Sequence, residues 1–117
     1  MLKRINRLSK RKDLEKVNKS GKVSYALFFM LKFYPNNLNF SRFGLIVSNK
    51  VSKKATKRNL IKRRIREILR LALPKVRQGF DIIIIVSPKI INQQGKVLKY
   101  SEIQEALSSL LQKAKLL

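Results

Sequence analysis

The sequence predicts an α+β fold, a two-layer α/β sandwich in which residues 1–117 form a single domain. Three observations support this prediction. Apolar, β-branched and aromatic runs typical of strands occupy 23–34, 42–48 and 80–86, and segments with helical periodicity lie before, between and after them. Apolar residues make up 44% of the chain, which is enough to close a small core. The predicted order is α-β-β(-β)-α-β-α.

The N-terminal part is predicted as an arm followed by a short helix. Residues 1–8 are a basic arm, free to move in this interpretation, with sparse apolar anchors at Leu2, Ile5 and Leu8. Ser9 is the predicted N-cap of the helix, and Gly21 is its predicted end. Leu14 and Val17 lie on one side of this helix.

Three segments are predicted as strands. Residues 23–34 read as one long strand that ends at the turn residues 35–37. Residues 42–48 follow after a loop short enough for an antiparallel hairpin with the first strand. The run FDIIIIV at 80–86 is apolar almost throughout, which favours a position inside the sheet.

Two longer helices complete the fold. The first is expected from about Thr56, a candidate N-cap, to Leu73, with Pro74 as its stop. The second begins near Ser101, which has capping-box spacing with Gln104. Its apolar stripe consists of Ile103, Ala106, Leu107, Leu110 and Leu111.

The charge of the chain indicates a polyanionic partner. The sequence has 28 Lys and Arg against 6 Asp and Glu, a net charge of +22. Nucleic acid is the first expected partner and an anionic membrane surface the second. The longest apolar run, Tyr25–Leu31, is too short to span a bilayer, and the first residues lack the apolar region of a signal peptide. We therefore expect a cytoplasmic protein, which agrees with the absence of Cys.

The basic helix separates most of its charge from its apolar residues. At about 100° per residue, one arc of roughly 140° holds Arg58, Asn59, Lys62, Arg63, Arg66 and Arg70. The opposite arc holds Leu60, Ile61, Ile65, Ile68 and Leu71. Lys57 and Arg64 fall on the apolar side, where their stems must extend to water, and Leu69 falls among the charges. Glu67 is the only acid between residues 48 and 77, so pairing along the helix leaves most of this charge unbalanced. This pattern predicts a phosphate-binding face.

The sequence lacks the usual catalytic side chains. There is no His and no Cys, which excludes imidazole catalysis and ordinary zinc sites. The six acids are scattered over different elements, and the four glycines stand alone, so neither a protein metal site nor a phosphate-binding loop is predicted. We expect no catalytic and no metal-ligating residues in this chain.

The run RFGLIVSNKVSKKATKRNLIKRRIREILR resembles the signature of the bacterial ribonuclease P protein component. The residues that carry the resemblance are Arg42, Gly44, Val47, Lys50, Lys53, Lys54, Ala55, Arg58, Asn59, Lys62, Arg63, Arg66 and Glu67. The flanks RLSKRKDLEKV and GFDIIIIVSPK, and the C-terminal helix, also resemble this family, so that the resemblance covers nearly the whole chain.

The resemblance implies the protein subunit of a ribonucleoprotein that removes the 5′ leader of precursor tRNA. The RNA subunit would perform the hydrolysis and hold most of the magnesium ions, with no organic cofactor, no membrane contact and a monomeric free protein. The implied contacts with the catalytic RNA are Lys50, Lys53, Lys54, Lys57, Arg58, Asn59, Lys62, Arg63, Arg66 and Arg70. A cleft between the first helix and the sheet would hold the leader through Lys12, Leu14, Phe29 and Lys32. The implied fold is ribosomal-protein-domain-like with a left-handed crossover through the basic helix.

The chain departs from the family pattern at Asn49, where a Lys is frequent, and at Leu14, where a Phe is frequent. Phe28 and Phe29 alternate sides of a strand, so one of them belongs to the core. Two other hypotheses remain open at this point. A structural RNA-binding protein, such as a ribosomal one, has the same composition and charge. An autonomous protein nuclease requires RNA cleavage without an RNA subunit, which the missing His and dispersed acids disfavour.

Overall fold

The chain folds into a four-stranded sheet with helices on both faces. In the computed structural model, which describes residues 2–117, the elements are α1 (Arg11–Ser20), β1 (Lys22–Tyr25), β2 (Phe29–Pro35), β3 (Arg42–Ile46), α2 (Ala55–Ala72), β4 (Phe80–Val86) and α3 (Tyr100–Lys113). Short 3-10 turns lie at Arg4–Asn6, Leu73–Lys75 and Pro88–Ile90. The predicted α+β class is confirmed.

The strand order is β1-β2-β4-β3, with β4 parallel to β3 and antiparallel to β2. The predicted hairpin between the segments 23–34 and 42–48 is therefore wrong, because β4 lies between them. The central position suits β4, because its isoleucines are apolar on both sides of the strand and both sides are shielded from water there. Its backbone also has a hydrogen-bonded partner strand on each side. The helix α2 forms the parallel crossover from β3 to β4, and its left-handedness stays an expectation.

The predicted long strand over 23–34 is in fact a hairpin of two strands. The chain turns between β1 and β2, where the Ala26 N–H donates to the Phe29 carbonyl oxygen at 2.9 Å. Tyr25 then pairs with Met30 across the hairpin. The turn has no Gly, Pro, Asn or Asp between 25 and 29, so none of the usual turn residues signals it.

Two hydrophobic cores lie on the two faces of the sheet. Ile82 and Ile84 of β4 belong to the larger core, which α2 and α3 cover. Ile83 belongs to a smaller core with Leu8 and Val17, under α1. The arrangement thus differs from the two-layer expectation, because α1 lies on the face opposite to α2 and α3.

The helix ends agree only in part with the predicted caps. Lys10 and Lys54 occupy the N-cap positions of α1 and α2 without a side-chain cap, so the predicted caps Ser9 and Thr56 are wrong. Gly21 does end α1, and its N–H donates to the Val17 carbonyl oxygen.

The ends of α2 and α3 follow the same mixed pattern. The helix α2 ends two residues before Pro74, close to the predicted stop. At the start of α3 the capping residue is Glu102, whose carboxylate accepts from the Lys99 N–H at 3.3 Å. The predicted capping pair Ser101 and Gln104 is therefore wrong. Acidic side chains in a first helical turn favour this arrangement through the helix dipole.

The N-terminal arm packs on the sheet over its described residues 2–8. Leu2 and Leu8 are buried, and the Leu8 N–H donates to the Phe43 carbonyl oxygen at 2.7 Å. Ile5, the third predicted anchor, is instead 61% exposed. Met1 lies outside the described residues, and the mobility of the arm in solution stays a prediction.

Candidate nucleic-acid interface

The buried side of α2 determines which of its charges face solvent. Ile61, Ile65, Ile68 and Leu69 pack into the larger core, and Leu69 is fully buried. Leu71, assigned to the apolar arc from the sequence, is 52% exposed. The helix is therefore turned by about 50° from the orientation predicted by the periodicity alone.

Five polar residues form the outward side of α2, called the cationic face below. Asn59, Arg63 and Arg70 are exposed, and Lys62 and Arg66 are half-buried at its edges. Arginine guanidinium and lysine ammonium groups donate hydrogen bonds to phosphate oxygens, and an amide such as Asn59 can donate or accept. The structure therefore brings together on one surface five of the ten residues predicted to bind RNA.

Three other cations of α2 donate to backbone carbonyl oxygens of the protein. Lys57 donates to the carbonyl oxygen of Gly95, and Arg64 donates to that of Leu98 at 2.7 Å. These two side chains hold the loop before α3 against α2, rather than extending to water as predicted. Arg58 donates to the Ser52 carbonyl oxygen at 2.8 Å. This bond fixes the loop that precedes α2 and occupies part of the donor capacity of Arg58.

The loop before α2 adds three exposed lysines, Lys50, Lys53 and Lys54. Buried Val47 and Val51 anchor the loop, and the Ser52 hydroxyl accepts from the Lys54 N–H at 3.1 Å. The lysines thus sit on a braced turn beside the first turn of α2, where helix N–H groups also favour anions.

The charge at the C-terminal end of the cationic face is partly balanced. The Glu67 carboxylate lies 2.6 Å from the Arg70 guanidinium. The hydrogen bond from Arg70 holds the pKa of Glu67 below its ordinary value, and the same bond raises the pKa of Arg70. Both groups are therefore charged at neutral pH, and Arg70 is the member of the face with an acidic neighbour.

A second candidate surface lies on the α1 side of the sheet, where an ion-pair cluster fixes the helix. Arg42 of β3 donates two hydrogen bonds to Asp81, at 2.8 and 2.7 Å, and reaches Asp13 of α1 at 3.3 Å. The hydrogen bonds to Asp81 raise the pKa of Arg42. Asn36 also donates to Asp81 at 2.9 Å. The cluster ties α1 to both β3 and β4.

Gly44 allows the close approach of the N-terminal segment to β3. A Cβ atom at this position would lie 3.1 Å from a methyl group of Leu14 and 3.2 Å from the Leu8 carbonyl oxygen. The Gly that the family signature places here therefore has a packing reason. It lets Leu14 of α1 and the chain at Leu8 pack directly on β3, so that α1 covers one half of this sheet face.

The open half is a row of side chains across all four strands. Tyr25 pairs with Met30, Met30 with Ile85, and Ile85 with Ile46, so all four point to the α1 side. Tyr25 is 64% and Ile46 43% exposed, while Met30 and Ile85 are half-buried. We call this row the open sheet face. Its flat apolar surface and terminal Tyr suit contact with unstacked bases.

The structure corrects one of the predicted leader contacts. Phe29 is 1% exposed and lies in the larger core under α2 and α3, so it cannot touch a ligand on the α1 side. Lys32 does point to the α1 side, where it donates to Asn18 of α1. Lys12 is exposed on α1, and Leu14 is half-buried beside Gly44.

Sequence reasoning missed the four residues of the open sheet face. The alternation of β2 was an available signal, because a buried Phe29 places Met30 and Lys32 on the other side. The row itself depends on the strand order, which the sequence did not reveal.

Residues 2–117 contain no cluster of three or more His, Cys, Asp or Glu side chains with the geometry to hold a metal ion. Nor does this part of the chain contain a helix long and apolar enough to cross a membrane.

The chain is similar to known ribonuclease P proteins in sequence and in structure. A family model described as Ribonuclease P matches residues 2–115. The ribonuclease P protein component of Alkaliphilus oremlandii is 36% identical, over 99% of this chain and 96% of the relative. That of Dehalococcoides mccartyi is 37% identical, over 99% and 90%.

Solved structures agree with these relatives. The ribonuclease P protein of Thermotoga maritima has a TM-score of 0.82 and 34% identity, with 92% of this chain and 96% of that one covered. A Staphylococcus aureus RNase P protein mutant with defective mRNA degradation activity has a TM-score of 0.85 and 27% identity, with 97% and 91% covered. The sequence and structural matches together show that this chain belongs to the ribonuclease P protein family.

Proposed function

We propose that this protein is the RNA-binding subunit of ribonuclease P and helps a catalytic RNA remove the 5′ leader of precursor tRNA. The observation that carries the proposal is the cationic face of α2 in a chain of this family. Its position on a helix anchored by four buried apolar residues makes it a preorganised surface for RNA phosphates.

In this proposal the two surfaces have different ligands. The cationic face and the lysines of the preceding loop bind the catalytic RNA. The single-stranded leader binds to the open sheet face and to Lys12, Leu14 and Lys32, which lie on the α1 side of the sheet. Arg42 acts as a positioning residue, because its bonds to Asp13 and Asp81 keep α1 beside the leader.

The chemistry of cleavage is assigned to the RNA subunit with its magnesium ions. The chain supplies binding and orientation: its guanidinium and ammonium groups lower the repulsion between two RNA molecules, which is largest at low magnesium. Positioning of substrate against a catalytic group is by itself a large source of rate enhancement.

The test is cleavage of a 5′-labelled precursor tRNA at low magnesium by the protein alone, the cognate catalytic RNA alone and the two together. We expect cleavage at the mature 5′ end in the mixture, and much less with either component alone. If the mixture cleaves no faster than the RNA alone, the proposal is wrong. Cleavage by the RNA-free protein would instead support an autonomous nuclease.

A pair of double variants links the activity to the cationic face. Arg63→Ala with Arg66→Ala should reduce the affinity for the catalytic RNA by about tenfold or more, because two phosphate contacts are lost. The matched control, Lys89→Ala with Lys96→Ala, removes the same charge from two exposed positions outside α2. Equal losses in the two variants would show that only net charge matters.

A further inference from the structure

A cavity of about 590 Å³ lies at the free edge of β1, on the α3 side of the sheet, and none of its lining residues belongs to the two surfaces described above. Its wall consists of the β1 edge, the C-terminal end of α3 and the start of β4. We call it the edge cavity. It is lined by Ser20, Lys22, Val23, Ser24, Phe33, Tyr34, Pro35, Arg77, Phe80, Lys113, Ala114, Lys115 and Leu116. Its volume falls in the range of small-molecule sites.

Two aromatic rings contribute to the lining of the edge cavity. Phe33 and Phe80 are half-buried, and their rings make an edge-to-face contact with centroids 6.2 Å apart. The Arg77 guanidinium lies 5.2 Å from the centroid of Phe80. Aromatic rings and arginine guanidinium planes are both surfaces on which unpaired bases stack.

The rim of the edge cavity is cationic. Lys22, Arg77, Lys113 and Lys115 are exposed around it, and no Asp or Glu is among the lining residues. Lys113 donates to the Tyr25 carbonyl oxygen and Arg77 contacts that of Lys115 at 3.5 Å. These bonds to neutral groups leave the positive charge in place. The charge also exceeds the partial negative charge at the C-terminal end of α3.

Lys115, on the rim of the edge cavity, is held in a left-handed backbone conformation at the end of α3. Lys115 has a φ of 61°, and the Leu116 N–H donates to the Leu111 carbonyl oxygen, as in the helix-ending motif that usually places glycine here. Leu116 is fully buried, which completes the motif. A lysine in this left-handed conformation is less stable than a glycine, so its charge at the rim comes at the expense of stability.

We propose that the edge cavity binds one unpaired nucleotide of an RNA chain, with the base against Phe33 and Phe80 and the phosphate at the lysines. An aromatic floor with a cationic rim is complementary to a base joined to a phosphate. A simple anion would contact the cations and would not stack on the rings. The identity of the RNA rests on the proposed function, whereas the nucleotide site itself does not.

The experiment is an NMR titration of the full-length protein with adenosine monophosphate, ribose 5-phosphate and adenosine, each alone. We expect adenosine monophosphate to shift the resonances of Lys22, Phe33, Arg77 and Phe80, and to bind more tightly than either fragment. Phe80→Leu keeps an apolar floor without the ring and should weaken binding about fivefold or more. Shifts confined to α2, or equal binding of ribose 5-phosphate, would overturn the site.

Lys115→Gly separates a binding role from a structural one. Glycine relieves the left-handed backbone and removes the rim charge, so we expect a higher melting temperature together with weaker binding of adenosine monophosphate. A higher melting temperature with unchanged binding would contradict a role of Lys115 in the site. The control Lys89→Ala removes an exposed charge elsewhere and should change neither quantity.

The outcome is independent of the cleavage assay. If adenosine monophosphate leaves the cavity resonances unmoved while the protein still assists precursor cleavage, the edge cavity is not a nucleotide site and the proposed function stands. If the nucleotide binds as expected but the protein does not assist cleavage, the site is supported and its RNA belongs to another process.

Discussion

The cationic face of α2 and the open sheet face differ in how the chain builds them. The cationic face comes from one continuous helix, with residues three and four positions apart brought to the same side. The open sheet face takes one residue from each of four strands, from Tyr25 to Ile85 in sequence. A surface built from one helix can be recognised from periodicity, whereas a surface built from four strands requires the topology.

The two surfaces also differ in the forces they can use. The cationic face offers charge, so its contacts with phosphate release counterions and weaken steeply with salt. The open sheet face has no charged member, so its contacts with bases depend on stacking and apolar burial, which change little with salt. Salt dependence is therefore the measurement that distinguishes them.

Arg42→Ala should have the largest effect, because it removes the cluster that holds α1 beside the open sheet face. We expect the free energy of unfolding to fall by about 2–3 kcal/mol, somewhat less than for a fully buried pair, since Asn36 still donates to Asp81. Urea denaturation measures this change.

The matched control for that variant is Arg11→Ala. It breaks an ion pair with Glu15 in which both side chains are mostly exposed, so the stability should hardly change. In the folded Arg42→Ala protein, leader binding should weaken while binding of the catalytic RNA is retained. A parallel loss of both activities would show that the two surfaces are not separable in this way.

Tyr25→Ala tests the open sheet face itself. The affinity for a precursor tRNA should fall about tenfold, because one stacked base is lost, and the salt dependence should not change. Binding of mature tRNA without a leader should be unaffected. Leu38→Ala, at another exposed apolar position, is the control. An equal loss with the leaderless tRNA would contradict the assignment of this face to the leader.

The sequence was sufficient for those features that depend on local periodicity. It predicted the class of fold, the central strand β4, the stripe of α3 and a charged side of α2. Even there, the orientation of α2 was off by about 50°, because Leu69 and Leu71 are both apolar and only packing decides which is buried.

Features that depend on long-range pairing were not predictable from one sequence. The hairpin at 25–29 has no turn residues to mark it, and the place of β4 between β2 and β3 is set by contacts between distant segments. The wrong assignment of Phe29 follows from the same limit. Alternation does not apply to this pair, because Phe28 lies in the turn before β2 and also packs, half-buried, against the larger core.

Arg63→Ala sharpens the comparison with a smaller effect. Loss of one phosphate contact should lower the slope of log K against log salt by about 0.7–0.9 and weaken binding of the catalytic RNA severalfold. Arg64→Ala is a matched control on the same helix, because Arg64 donates to the Leu98 carbonyl oxygen. It should lower stability and leave the slope unchanged. A slope change of equal size in both variants would mean that RNA binding senses charge without regard to face.

Glu67→Gln should have the smallest effect, and its sign is informative. Glu67 has a pKa lowered by Arg70, so its contribution to stability is present above its ordinary pKa, near 4.5, and is lost as the pH falls through the lower, folded-state pKa. The stability difference between wild type and Glu67→Gln should therefore shrink in acid, as thermal melts at several pH values would measure.

At neutral pH the same substitution removes the carboxylate that binds Arg70 at 2.6 Å. If Glu67 serves only to orient and partly neutralise Arg70, the variant should bind the catalytic RNA up to about threefold more tightly at low salt, because one negative charge leaves the cationic face. Weaker binding would require the opposite view. It would mean that the Glu67 carboxylate holds Arg70 in the conformation that the RNA recognises. The affinity lost when Arg70 becomes less ordered would then exceed the affinity gained by removing the negative charge of Glu67.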